Sequence, residues 1–300
     1  MTTTIAEFFE GDLAPLVRRM ADRPRGEGGD TDDDRRETRA MVWEGLAGLG
    51  ALDGTDAVSL AELLGSVLYQ GPLLDTLTAR ELFPDADLGQ APVALAVGSY
   101  DDQDGTISAR CDFVGFAAEV DHFAVVGGAR SALVQAGHPS ITTRRHEETG
   151  RGELYRVDFA DTPVTTWAGP VAWEGARVRQ AAYLVGLTQA ALDHAVDYAK
   201  TRRQFGRAIG ANQALSFRLA EMSMHVDAAR LLVHDPDASG HAAATLAAAA
   251  DLARTVTTRT MQIHGAAGMR SDDDAQLYYR RAAAESVRLG TPSQLRQPQE

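Results

Sequence analysis

Apolar and polar positions follow a helical period in the first part of the chain, a strand period in the middle, and a helical period again at the end. Apolar residues spaced three and four apart predict helices over 4–20, 35–49, 59–69 and 73–82. Ser59 followed by Glu62 is typical of a capping box, which would start the third of these helices at Ser59. The first 85 or so residues are therefore predicted to be all-helical.

From about residue 90 the pattern changes to short apolar or alternating runs separated by turn residues. Strands are predicted over 93–97, 106–116, 122–126, 132–134, 141–145 and 154–159. Several short strands at close spacing indicate a small antiparallel β unit.

From Glu174 onward the chain is rich in alanine and helical in period. Apolar residues step by four and three along one helix, which is typical of a bundle seam (Leu215, Leu219, Met222, Val226, Ala229 and Val233). We therefore predict an α+β fold with an N-terminal helical domain (1–88), a middle β domain (89–170) and a C-terminal four-helix bundle (171–300).

Composition limits the classes of binding partner and the cellular compartment that we expect for this chain. The 300 residues carry a net charge of -13, which argues against nucleic acid as a partner. A single cysteine excludes an intrachain disulfide, and we expect no metal site because no ligand cluster has suitable spacing. No apolar run approaches the ~20 residues of a membrane helix, and the first residues lack a signal-peptide pattern. We expect a cytoplasmic protein that binds no membrane.

The stretch YAKTRRQFG (198–206) carries the first candidate chemistry. It places Arg202, Arg203, Gln204 and Phe205 at the end of one predicted helix, directly before a second helix. Guanidinium groups pair with phosphate through two parallel hydrogen bonds, so this helix end is suited to a flat, phosphorylated cofactor. An ordinary surface ion pair is the alternative interpretation of the two arginines.

Two motifs carry a resemblance to a known family. The segment YAKTRRQFGRAIGANQALSFRLAEM resembles the signature of the acyl-CoA dehydrogenase superfamily, and MQIHGAAGM (261–269) resembles its second signature, QxxGGxG. WEGLAGLGALDG near the start resembles the superfamily as well, and SLAELLGSVLYQGPLLDTLTARELF looks most like its short members in actinobacterial steroid and natural-product clusters. The resemblance covers nearly the whole chain and is strongest over 180–291.

This resemblance implies FAD bound across a subunit interface, with Arg202 on the pyrophosphate of a neighbouring subunit's cofactor. The other positions that match cofactor contacts are Gln204, Phe205, Gln213, Gln262, Gly265, Gly268 and Thr291. It also implies an oligomer: a homodimer, a homotetramer or a heterotetramer with a related subunit. The implied substrate is a thioester of coenzyme A or of an acyl carrier protein. Taken alone, Gln262 is equally an ordinary polar residue near a helix end.

The sequence departs from the family pattern in three places. Ala266 replaces the second glycine of QxxGGxG, and only FVGFAAEVDHFAVVG (113–127) matches the family's β domain near the flavin. Most importantly, Leu289 stands before Gly290 and Thr291, where the family has its catalytic glutamate. The second place that some members use for the base falls near Ala176. Leucine and alanine cannot accept a proton, and general-base catalysis contributes ~10²–10⁴-fold.

Four residues are candidates for a replacement base, each with a structural role as the alternative: Glu285, Glu174, His264 and His225. Arg288, beside the vacated position, is a candidate for holding a substrate carboxylate or phosphate.

Three functions remain open. The first is an FAD-dependent acyl-thioester oxidoreductase subunit that pairs with a second chain holding the base. The second is a flavoenzyme with other chemistry in a biosynthetic pathway. The third is a non-redox enzyme or ligand-binding protein on the same fold that has lost α,β-dehydrogenation. Retention of Arg202, Gln213 and Gln262 together favours a flavin-dependent protein.

Overall fold

The computed structural model describes residues 32–146, 153–235, 237–270 and 273–297. The helix predicted over 4–20 lies outside these ranges. The helices are α1 (Asp32–Gly48), α2 (Ala57–Ser66), α3 (Leu73–Leu82), α4 (Glu174–Thr201), α5 (Gln213–Val233), α6 (Ala242–His264), α7 (Asp274–Glu285) and α8 (Pro292–Leu295). The strands are β1 (Val93–Val97), β2 (Tyr100–Gln103), β3 (Thr106–Gly115), β4 (His122–Val126), β5 (Ser131–Gln135), β6 (Ile141–Arg145), β7 (Leu154–Pro163), β8 (Thr166–Ala168), β9 (Arg203–Gln204) and β10 (Arg207–Ala208).

The order of helices, strands and helices confirms the predicted α+β architecture. The core of the four bundle helices α4 to α7 also includes residues of α1 to α3, so the two helical parts pack as one body (Leu46, Leu60, Leu184, Leu187 and Val256 are all members of this cluster). The exact domain boundaries at 88 and 170 stay predictions.

The middle region forms two four-stranded sheets, with strand orders β1-β4-β5-β8 and β2-β3-β7-β6. The expectation of a purely antiparallel unit is wrong for one pair, because β1 and β4 run parallel from Val93↔His122 to Val97↔Val126. The strands between them, β2 and β3, belong to the other sheet and supply the crossover that a parallel pair needs.

The capping box predicted at Ser59 is also wrong. The helix α2 begins at Ala57 after Asp56, and no side chain caps it. The Glu62 carboxylate is used in a tertiary contact instead. One oxygen accepts a hydrogen bond from Arg230 Nε at 2.7 Å, and the other lies 2.7 Å from His234 Nε2.

Helices α2 and α4 pack with their backbones in direct contact through two glycines. A Cβ atom on Gly65 would lie 1.9 Å from the carbonyl oxygen of Tyr183, and one on Gly186 would lie 1.9 Å from the carbonyl oxygen of Glu62. Because neither oxygen belongs to a flexible side chain, only glycine permits this approach at either position.

Replacement of Gly186 by alanine should therefore destabilise the protein. Alanine favours a helix over glycine by up to ~1 kcal/mol, but overpacking against the α2 backbone costs ~1–3 kcal/mol or more. We expect a lower Tm for Gly186→Ala in a thermal melt. Gly48→Ala is the matched control, since nothing lies within 4 Å of its Cβ position. An unchanged Tm for Gly186→Ala would contradict the close contact.

Candidate functional site

A cavity of about 450 Å³ lies where α3, β1, β3 and the end of α7 meet. Three of the residues singled out in the sequence line it: Glu285, Arg288 and Leu289. Its walls are otherwise mostly apolar (Leu95, Val97, Phe113, Phe116, Leu154 and Val287), and its charged floor adds Asp75 and Arg281. The position of the missing base therefore opens onto this cavity.

An ion-pair network forms the floor of the cavity. Arg288 Nη2 donates a hydrogen bond to Asp75 Oδ1 at 2.6 Å, and the Leu95 amide donates to Asp75 Oδ2 at 3.2 Å. Gln180 Nε2 donates to Glu285 Oε2 at 3.0 Å. The same carboxylate lies 3.7 Å from Arg288 Nη1 and 3.9 Å from Arg281 Nη1. Glu285 is thus held by three side chains.

Burial and neighbouring charges shift the pKa values of Asp75 and Arg288 in opposite directions. Burial raises the pKa of Asp75, and the charge of Arg288 and the Leu95 amide offset part of that effect. Burial alone would lower the pKa of Arg288, but the carboxylates of Asp75 and Glu285 raise it above its ordinary value. The sequence did not identify Asp75, because it lies on α3, far from either motif. The available signal was an acidic residue among the apolar residues of the helix predicted over 73–82.

The segment after α7 presents Leu289 to the cavity. Leu289 packs partly against the bundle core and offers no proton acceptor. Gly290 follows with φ 118°, and Thr291 caps α8, its hydroxyl accepting a hydrogen bond from the Gln294 amide at 3.3 Å. The Thr291 hydroxyl is therefore already engaged within the chain.

The first motif forms an exposed hairpin at the far end of α4. Strands β9 and β10 pair, and Phe205 at the turn between them is 100% exposed with φ 52°. Arg202 and Arg203 are exposed and form neither a side-chain hydrogen bond nor an ion pair with any residue that the structure describes. The alternative of a surface ion pair is thus unsupported, and the guanidinium donors fit an anionic group such as a pyrophosphate.

The second motif ends α6 in a tight turn. Gly265 has φ 59° and open space at its Cβ position, whereas a Cβ on Gly268 would lie 2.7 Å from His264 Cβ. Ala266 has φ −62°, so alanine replaces the family's glycine there without strain. The Gly265 and Gly268 amides donate to the carbonyl oxygens of Met261 and Gly265. Gly265 is exposed and permits close approach of a cofactor, whereas Gly268 is buried against His264 and is needed for the turn itself.

Gln262 lies just before this turn, exposed on α6. It borders an open depression of about 680 Å³ that is also lined by Arg254, Thr258 and Arg259. Gln213 is the exposed first residue of α5, and Gln204 is exposed on β9. All the side chains matched to the cofactor's phosphate and adenosine parts therefore face outward.

The two motifs meet at one end of the bundle through stacked rings. The Tyr198 ring lies 4.2 Å from the His264 ring, and His194 stacks on His264 at 4.5 Å. His194 Nε2 lies 3.2 Å from Asp273 Oδ1. His194, His264 and Asp273 lie close together and are types of residue that bind metals, but the histidine planes differ by only 14°, so their in-plane lone pairs do not converge on one ion.

The remaining base candidates do not reach the cavity. His264 is buried in the ring stack, His225 is exposed on α5, and Glu174 is exposed at the start of α4. Of the four, only Glu285 lines the cavity. Its partner Gln180 and the motif residue Arg202 lie roughly 33 Å apart along α4, at about 1.5 Å of rise per residue. Within one chain, the surface formed by the two motifs and the cavity at Leu289 are therefore two separate sites.

Known proteins resemble this chain in sequence and in fold. The family model "Acyl-CoA dehydrogenase, C-terminal domain" matches residues 172–296. The acyl-CoA dehydrogenase IpdE2 of Mycolicibacterium smegmatis is 38% identical over 257 residues, covering 84% of this chain and 79% of that protein. The probable acyl-CoA dehydrogenase fadE25 of Mycobacterium leprae is 40% identical over 119 residues, 37% of this chain but only 31% of its own length.

A solved structure extends the likeness to nearly the whole chain. A chain of the ChsE4-ChsE5 complex from Mycobacterium tuberculosis superposes with a TM-score of 0.75 at 21% sequence identity, covering 98% of this chain and 96% of that chain. At this level of identity the likeness establishes the fold. Separately, no helix in the described ranges is both long and apolar enough to cross a membrane.

The ring stack predicts a pH dependence of stability. Burial lowers the pKa of His264, an effect to which His194 adds and which the Thr260 carbonyl and Asp273 partly oppose. The folded chain then binds fewer protons than the unfolded chain between the lowered pKa and about 6.5, so stability falls as pH drops through that window. Melts from pH 8 to 5 should show a shallower loss for His264→Phe than for wild type.

The exposed His225 provides the control for this measurement. His225→Phe should leave the pH dependence of Tm unchanged, because His225 is exposed on α5. Equal slopes for His264→Phe and wild type would show that His264 is not the group responsible.

Proposed function

The chain belongs to the acyl-CoA dehydrogenase family, and on that premise we propose that it is an FAD-dependent oxidoreductase acting on an acyl thioester. The observation that carries the proposal is the exposed end of α4, where Arg202 and Arg203 make no ion pair with any described residue. Such a surface is suited to a pyrophosphate. The cavity at Leu289 is the proposed substrate site.

We propose that the cofactor bridges two chains. Arg202 and the cavity of the same chain are separated by roughly 33 Å along α4, at about 1.5 Å per residue, which favours a partner chain as the source of one half of each site. Exposed apolar side chains on α5 support an oligomer, since Phe217, Met224 and Leu231 are each at least 65% exposed. The assembly would be a homodimer, a homotetramer or a heterotetramer.

When bound, FAD would accept a hydride from the β carbon of the acyl chain. The chain's own contribution is to hold the thioester and polarise its carbonyl, and the Leu289 amide is suited to this because it donates no hydrogen bond to the residues that the structure describes. Removal of the α proton is the step that this chain supports poorly. Leu289 has no acceptor, and Glu285 is engaged by Gln180.

A heteromer resolves this deficit, since a related second subunit would supply the glutamate. The solved ChsE4-ChsE5 structure is a complex, and it supports the proposal that this chain pairs with a second chain. The proposed substrate is an acyl-CoA. A thioester of an acyl carrier protein in a biosynthetic pathway is the variant of the same proposal.

A non-redox function is the second candidate, favoured specifically by Leu289 at the position of the base. In that case the fold would bind or convert a ligand without flavin. A protein that purifies colourless and takes up no FAD would support this candidate and contradict the first one.

FAD binding is tested by the absorption spectrum of the purified protein. We expect oxidised-flavin bands in wild type and FAD affinity about 10–100-fold weaker in Arg202→Ala, because a charge-assisted hydrogen-bond pair is lost. Lys200→Ala is the matched control. Lys200 is an exposed cation on the last turn of α4 that pairs only with Asp197 among the described residues. Equal FAD affinity in both variants would contradict the role of Arg202.

The vacated base position predicts a gain of function. Leu289→Glu should raise α,β-dehydrogenation of an acyl-CoA by ~10²–10⁴-fold, measured with an artificial electron acceptor. Val287→Glu is the control, since it adds a carboxylate to the same cavity at another position. Fast turnover by the wild-type homo-oligomer would contradict the need for a second subunit that supplies the base. Loss of that turnover in Glu285→Gln, but not in Glu174→Gln, would then place the base at Glu285.

A further inference from the structure

The cavity floor contains a cation whose hydrogen-bonding capacity is mostly unused. A guanidinium has five N–H donors, and with the residues that the structure describes Arg288 makes one side-chain hydrogen bond, to Asp75 Oδ1. Its distance of 3.7 Å to Glu285 Oε2 is an ion-pair contact, too long for a hydrogen bond. The Arg288 side chain is 24% exposed, and it lines the cavity. Its remaining donors are therefore available to a ligand in the cavity.

A plain alkyl chain is a poor occupant of this floor. An alkyl group packed against Arg288 would remove water from the guanidinium without replacing its hydrogen bonds, and unpaired polar groups are costly to bury. The walls above, including Leu95, Phe116 and Leu154, suit the hydrocarbon part of a chain. The cavity thus combines apolar walls with the hydrogen-bond donors of Arg288 at its floor.

The charges of the floor exclude an anionic group on the chain. Asp75 and Glu285 balance Arg281 and Arg288, so the network has no net positive charge to compensate a further carboxylate. Asp112 and Glu153 line the same cavity and add negative charge, although Glu153 is paired with Arg145 at 2.7 Å. A substrate carboxylate at Arg288 would therefore be repelled by the neighbouring acids.

We propose that Arg288 is a specificity-determining residue that donates a hydrogen bond to an uncharged oxygen on the acyl chain. The cavity then selects acyl thioesters that carry a keto or hydroxyl oxygen over unsubstituted alkyl thioesters. Asp75 holds the guanidinium in place from α3, anchored itself by the Leu95 amide. This inference rests on the proposed acyl-thioester substrate and specifies its class.

The test compares binding of matched coenzyme A thioesters to the purified protein by calorimetry. The pairs are pentanoyl-CoA with 4-oxopentanoyl-CoA and hexanoyl-CoA with 5-oxohexanoyl-CoA, and glutaryl-CoA provides the anionic case. We expect at least one keto thioester to bind about tenfold or more tightly than its alkyl partner, the effect of one hydrogen bond to a charged group. Arg288→Met should abolish that preference while retaining binding of the alkyl thioester.

Two further variants keep the test decisive. Arg288→Met leaves Asp75 buried without its cation, so Asp75→Asn combined with Arg288→Met should restore folding and show the same loss of preference. Arg110→Met is the matched control. Arg110 forms a comparable 2.8 Å ion pair with Asp158 on the exposed face of the β region, outside the cavity, and this variant should keep the preference.

The outcomes separate this inference from the proposed function. Alkyl thioesters that bind as tightly as both keto thioesters, or glutaryl-CoA binding most tightly, would overturn the inference and leave the acyl-thioester function standing. A keto preference that survives in the Arg288 variants would overturn the role of Arg288. Absence of binding by every thioester would overturn both.

Discussion

The backbone contact between α2 and α4 is the constraint on which the rest of the structure depends. Gly65 and Gly186 face each other's helices at a distance that admits no side chain. This contact fixes α4 against the N-terminal helices near its middle. Both ends of α4 are then set: Gln180 reaches Glu285 at one end, and Tyr198 stacks on His264 at the other. A single helix thereby determines where the cavity and the motif surface lie.

At the cavity, three parts of the chain are held together by an ion pair and a hydrogen bond as well as by apolar packing. Asp75 comes from a helix before the β region, Leu95 from the first strand, and Arg288 from the segment after α7. Buried ion pairs of this kind are poor sources of net stability but are strongly destabilising when one partner is removed. Loss of either partner at the cavity floor would therefore cost more stability than the intact pair contributes.

Sequence periodicity predicted most of the helices and strands because their apolar spacing is local. Helix α3 and strands β1, β4 and β6 have the predicted limits, and α4 begins at Glu174 as predicted. The errors came from tertiary effects: Glu62 is used by Arg230 instead of by a cap, and β1 pairs with a strand that is distant in sequence. Asp75 could not be assigned, because its partner lies 213 positions away. The motif roles at Arg202 and Gln262 came from resemblance and stay predictions.

The distance between the hairpin at Arg202 and the cavity at Leu289 has a genetic consequence for an assembly in which two copies of this chain share a site. A chain damaged at the hairpin would impair the site of its neighbour and leave its own cavity intact. A chain damaged in the cavity would do the reverse. Two different defective alleles expressed together would then generate one intact site in each mixed pair, so they would complement each other, while two copies of either allele would not.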